Sequence, residues 1–140
     1  MLGSLGLAHR ADQLRDAARR IVQQDDGNVP TEPVQLMALP GVGPYVAAAV
    51  AVGTGQLNAV LIDTNTVRVA TRYFGIETQA RDVRRQKPVT NAVAALFGGA
   101  AGRSEWWAVL DLAALICLPR QPRCSTCPLN IGCETASRQF

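Results

Sequence analysis

The chain has 140 residues, 48% of them apolar, and a formal net charge of +3. That is the size of one domain or part of one, with apolar material for a modest core. No apolar run approaches the roughly 18 residues of a membrane span, and MLGSLGLAHR lacks the charged start and apolar core of a signal peptide. No membrane association is expected, and the expected location is cytoplasmic. The basic residues are thirteen arginines and a single lysine, Lys87. Arginine grips phosphate bidentately, yet an arginine-rich genome produces the same bias, and both readings stand.

Residues 8–24 read as an amphipathic helix, with Leu14, Ala17, Ala18, Ile21 and Val22 on one stripe and Gly27 beyond its end. His9, near its start, is expected to be exposed. Thr31 suits the N-cap of a short helix through Leu36, Met37 and Ala38. The turn Leu39-Pro40-Gly41-Val42-Gly43 follows. Its two glycines let the backbone approach another molecule closely. Pro44 suits the first position of the next helix, whose free amides and positive dipole end suit a phosphate. Tyr45–Val52 is small and apolar all round, and so is expected to be buried; Gly53 and Gly55 break it.

Asn58–Ile62 is apolar but too short to demand a strand. Asp63 and Thr64 are both N-cap types for a helix over Asn65–Tyr73, closed by Gly75. Arg81, Arg84, Arg85 and Lys87 form a charged connection that reads as solvated. Val89–Phe97 reads as a helix, and residues 98–102 as a flexible link. Ser104 suits the cap of a last long helix, with Trp107, Leu110, Ala113 (or Ala114) and Cys117 at helical spacing. Trp106 and Trp107 read as core and rim. Arg68 and Arg72, at i and i+4, are surface charges or phosphate contacts. No segment alternates with a period of two, and no repeat is visible. The fold expected is all-α.

The cysteines are confined to one place. Cys117, Cys124, Cys127 and Cys133 follow C-x6-C-x2-C-x5-C, with Pro119, Pro122 and Pro128 holding the chain out of helix. Two disulfides would suit an oxidising compartment, for which no export signal is seen. A four-cysteine zinc site usually pairs two close knuckles, and here only Cys124 and Cys127 form one. A [4Fe–4S] cluster, held by four thiolates from a compact loop, suits the uneven spacing best, with zinc the runner-up.

Taken together, LPGVGPYVAAAV, IDTNTVRVATRYFGI and the cysteine run resemble the helix-hairpin-helix DNA glycosylases of the endonuclease III and MutY type. The resemblance runs from about Leu5 to Cys133, in family order and at family spacing. It implies a DNA base-excision repair enzyme whose partner is double-stranded DNA. Leu39, Pro40, Gly41, Val42 and Gly43 would be the phosphate-binding hairpin. Asp63 would be the catalytic aspartate, and Cys117, Cys124, Cys127 and Cys133 the ligands of a [4Fe–4S] cluster. Arg120 and Arg123 would be aimed at the DNA backbone. Tyr45 falls where bifunctional members carry a Schiff-base lysine, so a monofunctional N-glycosylase without lyase activity is expected. Val67–Ile76 and Pro119–Pro122 are reminiscent of the thymine–guanine type. Residues 1–103 would form a partial helical barrel with the hairpin at 39–43, and 104–140 the last helix and cluster loop.

Alone, Asp63 reads more simply as a helix cap and Tyr45 as a core-facing helix residue; the combined motif favours the site. Two departures stand out. Members of the family carry further helices before the point matching Leu5, so a truncated fold, or a complementing chain that supplies them, is expected. Pro44 replaces the usual basic residue of the hairpin. The alternative to an enzyme is a catalytically silent DNA-binding or assembly module that keeps the hairpin and cluster.

Overall fold

A computed structural model describes residues 8–56, 59–78, 83–96 and 102–138. They fall into two compact units, Met1–Thr54 and Gly55–Phe140. Seven α-helices and three short 3-10 turns are formed, and no strand occurs among the described residues. None of the helices is long and apolar enough to cross a membrane.

The first unit holds α1 (Ala8–Gln24), α2 (Pro33–Met37) and α3 (Pro44–Gly53). Its core joins Ala17 and Ile21 of α1 to Leu36, Leu39, Ala47, Val42 and Val50. The apolar stripe of α1 is only partly used: Leu14 and Val22 are each 67% exposed, and Ala18 is exposed as well. The helix is rotated so that a polar edge faces the hairpin. Gln13 lies over Gly41, and the Arg20 guanidinium donates to the Ala38 carbonyl at 2.7 Å. That bond satisfies a carbonyl at the end of α2. His9 is exposed, as the sequence suggests.

Proline moves the start of α2. Glu32 occupies the N-cap without a side-chain cap bond, and Pro33 with its fixed φ takes the first helical position. Thr31 therefore lies one residue outside the cap. The burial of α3 is partial, with Ala47, Ala51 and Val52 inside and Tyr45 and Val46, in its first turn, exposed. Small side chains all round do not enforce burial all round.

The second unit is built on α4 (Thr64–Tyr73), which packs against α5 (Lys87–Ala95), α6 (Arg103–Leu115) and α7 (Glu134–Ser137). Leu61, Val89, Val93 and Trp106 are fully buried, and Val69 meets Val109 and Ala113 with Leu96, Leu112 and Cys117 alongside. Trp107 is 40% exposed, so the two tryptophans are core and rim. The inward face of α6 is Trp106, Val109 and Ala113, so of the expected positions Ala113 is buried and Cys117 packs beside it, while Trp107 and Leu110 lie off that face. Two adjacent tryptophans let the same period run in either phase, and packing against α4 selects the first.

Gly102, not Ser104, is the N-cap of α6, and Ser104 lies inside its first turn. Lys87 belongs to α5 rather than to the connection, with Gln86 as N-cap and Pro88 in the first turn. A 3-10 turn at Val83–Arg85 precedes it. Asn58, Arg81, Phe97 and the link at 98–101 lie outside the described residues.

Leu61→Ala removes a fully buried side chain from the second unit. It is expected to cost about 2–5 kcal/mol in urea unfolding. A loss below about 1 kcal/mol would show that the site collapses freely.

Candidate functional site

The hairpin joins α2 to α3 through Leu39–Gly43. Leu39 is buried and anchors the turn, while its carbonyl accepts the Val42 amide at 3.2 Å. Gly41 has φ +77°, which L-residues rarely adopt, and a Cβ there would sit 3.0 Å from the Gln13 side chain. Gly43 is extended at φ −94°, so it is not conformationally bound to be glycine. It is exposed and a Cβ there would meet nothing, which leaves bare backbone at the mouth of α3. Pro44 is the first helical residue. Tyr45, in the first turn of α3, is 37% exposed and does not face the core.

Asp63 caps α4 in the second unit. Its Oδ1 accepts the backbone amides of Asn65 and Thr66, both at 2.8 Å. Thr66 Oγ1 accepts the Asp63 amide at 3.0 Å, completing a capping box around a fully buried threonine. Oδ2 accepts the Asn65 side-chain amide at 2.9 Å. The carboxylate thus sits half-buried at the positive end of the α4 dipole, with one oxygen committed to backbone and the other held by a single side chain.

The arginines of α4 turn inward. Arg68 donates from Nε to the Cys117 carbonyl (2.8 Å), from one terminal nitrogen to the Ala113 carbonyl (2.9 Å), and from the other to Asn65 Oδ1 (3.1 Å). One turn on, Arg72 donates to the Leu118 carbonyl (2.7 Å), the Pro119 carbonyl (3.0 Å) and Cys117 Sγ (3.4 Å). They are half-buried and bonded within the chain, not solvated surface charges. They satisfy carbonyls left without amide partners where α6 ends and the cysteine segment begins. The sequence signal was their i, i+4 spacing, but nothing in the sequence names carbonyls in a distant segment as the partners.

Beyond α6 the chain is held by short bonds to itself. The Arg123 amide donates to the Ile116 carbonyl at 2.9 Å, closing a loop that presents Arg120 and Arg123 as exposed side chains. The 3-10 turns Cys124–Thr126 and Asn130–Gly132 lead to α7, and Thr135 Oγ1 donates to the Arg72 carbonyl at 2.9 Å. A Cβ on Gly132 would lie 2.6 Å from the Tyr73 hydroxyl, so only glycine admits that close approach.

All four cysteines are free thiols, and all four line one pocket together with Arg72, Arg123 and Asn130. Burial and the other three cysteines push the Cys124 thiol above its ordinary value, while Arg72 opposes them. Four thiols lining one pocket are the kind of donor set that a zinc ion or an iron–sulfur cluster takes. Among the described residues, no group of three or more His, Cys, Asp or Glu side chains is gathered so as to hold a metal ion.

No protein-family model matches the chain. It is similar to the thymine/uracil-DNA glycosylase of Methanothermobacter thermautotrophicus, with 34% identity over 93% of this chain and 59% of that protein. It is also similar to the adenine DNA glycosylase of Mycolicibacterium smegmatis, with 36% identity over 99% of this chain and 46% of the relative. Among solved structures, a thermostable thymine-DNA glycosylase matches at a TM-score of 0.77 and 32% identity, covering 93% of this chain and 59% of that one. Endonuclease III in a non-covalent complex with DNA matches at a TM-score of 0.67 and 22% identity, covering 92% of this chain and 58% of that one, a likeness of fold. The chain is homologous to thymine/uracil- and adenine-DNA glycosylases along nearly its whole length, and has the all-α fold that endonuclease III shares. It spans roughly half to three fifths of these relatives' length.

Arg72→Met keeps the stem but loses the bonds to Leu118 and Pro119. Hydrogen bonds from a charged group each contribute about 1.5–3 kcal/mol, less where water replaces them. The variant is expected to lose about 1.5–3 kcal/mol in urea unfolding and to expose Cys117 to a thiol reagent more readily. Unchanged stability and thiol reactivity would remove Arg72 from the clamp.

Proposed function

We propose that this chain is a monofunctional DNA glycosylase of base-excision repair, hydrolysing the N-glycosidic bond of a mismatched or damaged base flipped out of duplex DNA. The observation that carries the reading is the homology to thymine/uracil and adenine DNA glycosylases, which runs through hairpin, aspartate and cysteine segment alike. Double-stranded DNA is then the partner, and the cytoplasm the place of action. The comparisons give no support to a second, complementing chain.

Each part has a physical task. The bare backbone at Gly41 and Gly43 and the amide end of α3 suit a phosphate, gripped without reading sequence; Leu39, Pro40 and Val42 shape that turn. Arg120 and Arg123 add exposed charge for the DNA backbone. A stacked nucleotide must leave the helix before its glycosidic bond is reachable. The C1′–N bond then breaks as positive charge builds on the deoxyribose and water adds at C1′. Asp63 is the residue proposed to stabilise that charge, or to take the proton of the attacking water. Tyr45 carries no amine, so no Schiff base forms with the sugar.

Cys117, Cys124, Cys127 and Cys133 are proposed to hold a [4Fe–4S] cluster. Its part is structural: it would fix the segment that presents Arg120 and Arg123. In this reading residues 1–103 carry the grip and the carboxylate, and 104–140 carry the cluster loop.

Base release from duplexes bearing T·G, U·G and A opposite 8-oxoguanine tests the activity. Release from at least one, reduced by about 100-fold or more in Asp63→Asn, is expected. Borohydride should trap no covalent DNA adduct. Salt-sensitive duplex binding without release would favour the silent module instead. The cofactor is read by elemental analysis: about four irons and four sulfides per chain are expected, and one zinc per chain would overturn the cluster.

A further inference from the structure

We propose that Gln13 and Arg20 of α1 are positioning residues for the hairpin, holding the turn at Gly41 so that its open amides keep the direction a phosphate requires. The proposal rests on the reading of Leu39–Gly43 as the grip on the DNA backbone.

The turn does little to hold itself. The Val42 amide donates to the Leu39 carbonyl at 3.2 Å, and the Ala47 amide closes back on the Gly43 carbonyl at 3.0 Å. Pro40 and Pro44 have no amide to give. Among the described residues, neither Gly41 nor Gly43 donates its amide to another backbone group. Those two N–H groups are open to an outside acceptor, and what they offer depends on where they point. Glycine is the residue least able to fix that direction by itself, because it moves easily between positive and negative φ.

What fixes it comes from α1. The Gln13 side chain fills the space beside Gly41: a Cβ there would come within 3.0 Å of Gln13 Cβ and 3.1 Å of its Oε1. The turn, held at a Gly41 φ of +77°, has no room to rearrange on that side. Seven residues on, along the same face of the helix, Arg20 reaches the residue that leads into the turn. One terminal nitrogen donates to the Ala38 carbonyl at 2.7 Å, while Nε donates to Gln24 Oε1 at 2.7 Å. The second bond orients the guanidinium for the first. Between these polar contacts, Ala17 and Ile21 pack with Leu39 and Val42.

A helix packed for apolar area alone would turn Leu14 and Val22 inward, yet each is 67% exposed. Instead α1 presents Gln13 and Arg20 to the hairpin. Neither residue is assigned a contact with DNA; both act through the turn.

The test compares the parent with Gln13→Ala, Arg20→Met and Arg20→Lys by duplex affinity and by single-turnover base release at saturating duplex. Gln13 carries no charge, so a change in affinity there does not come from lost attraction to phosphate. Gln13→Ala is expected to weaken duplex binding by about threefold to tenfold, the worth of one misaligned hydrogen bond, with the salt dependence of binding unchanged. The loss is expected in affinity and not in the rate at saturating duplex, whereas a general loss of folding would lower both. Arg20→Lys keeps a donor for Ala38 and is expected to recover most of what Arg20→Met loses. Parent-like affinity in Gln13→Ala, or a lysine no better than the methionine, would overturn the proposal.

A second readout needs no DNA. The heteronuclear NOE of the Gly41 and Gly43 amides, measured by NMR, is expected to fall in Gln13→Ala as local motion increases, while that of Val89 in the second unit stays as in the parent. Unchanged values at both glycines would overturn the proposal even if the parent bound no duplex. Looser glycines in the variant, with a parent that binds no duplex, would support the hold of α1 on the turn and reject the phosphate-grip reading alone.

Discussion

A helix that ends inside a protein leaves carbonyls without amides, and the second unit depends on how α6 resolves this. Two guanidiniums, one turn apart on α4, reach across to Ala113, Cys117, Leu118 and Pro119. The positive charges also complement the negative end of the α6 dipole. Everything after α6 inherits its position from this contact, because the cysteine segment has only 3-10 turns and a four-residue helix of its own.

The same helix that clamps the cysteine segment begins at Asp63. Its first turn holds the carboxylate, its middle holds α6, and the carbonyl of Arg72 near its end accepts from Thr135 and from the Cys133 thiol. With Val69 and Ala70 buried on its inner face, α4 is short, rigid and surrounded on several sides. That suits an element asked to keep a reacting group steady while a neighbouring segment meets a large ligand. The hairpin in the first unit has a different character: Leu39 and Val42 anchor it, Gly41 takes a positive φ, and Gly43 leaves exposed backbone.

What was legible in the sequence follows from how local each signal is. The extent of α1, the all-α class, the turn at 39–43 and the Asp63 cap depend on neighbouring residues, and they match the structure. Boundaries failed where a proline sat beside the preferred cap, as at Thr31 and Pro33. Trp106 and Trp107 are core and rim as expected, but the helical spacing started from Trp107 and Leu110 missed Val109, since adjacent large apolar residues leave two phases open until a partner chooses. Burial failed at Tyr45 and Val46, because composition cannot say how much of an apolar helix its neighbours cover. The clamps of Arg68 and Arg72 were invisible, since their acceptors are backbone atoms more than forty residues away. The roles of Asp63 and Tyr45 came from family likeness, and geometry alone makes Asp63 a well-formed cap.

If α4 and its arginines weld the cysteine segment to the rest of the second unit, the two must come apart together. Urea unfolding followed in parallel by tryptophan fluorescence, reporting α6, and by reactivity of the cysteine thiols tests this directly. Coincident transitions are expected, as for a single cooperative unit. Thiols that become reactive well before the fluorescence changes would show that the segment is only loosely attached, and the account of α4 as the common support would be wrong.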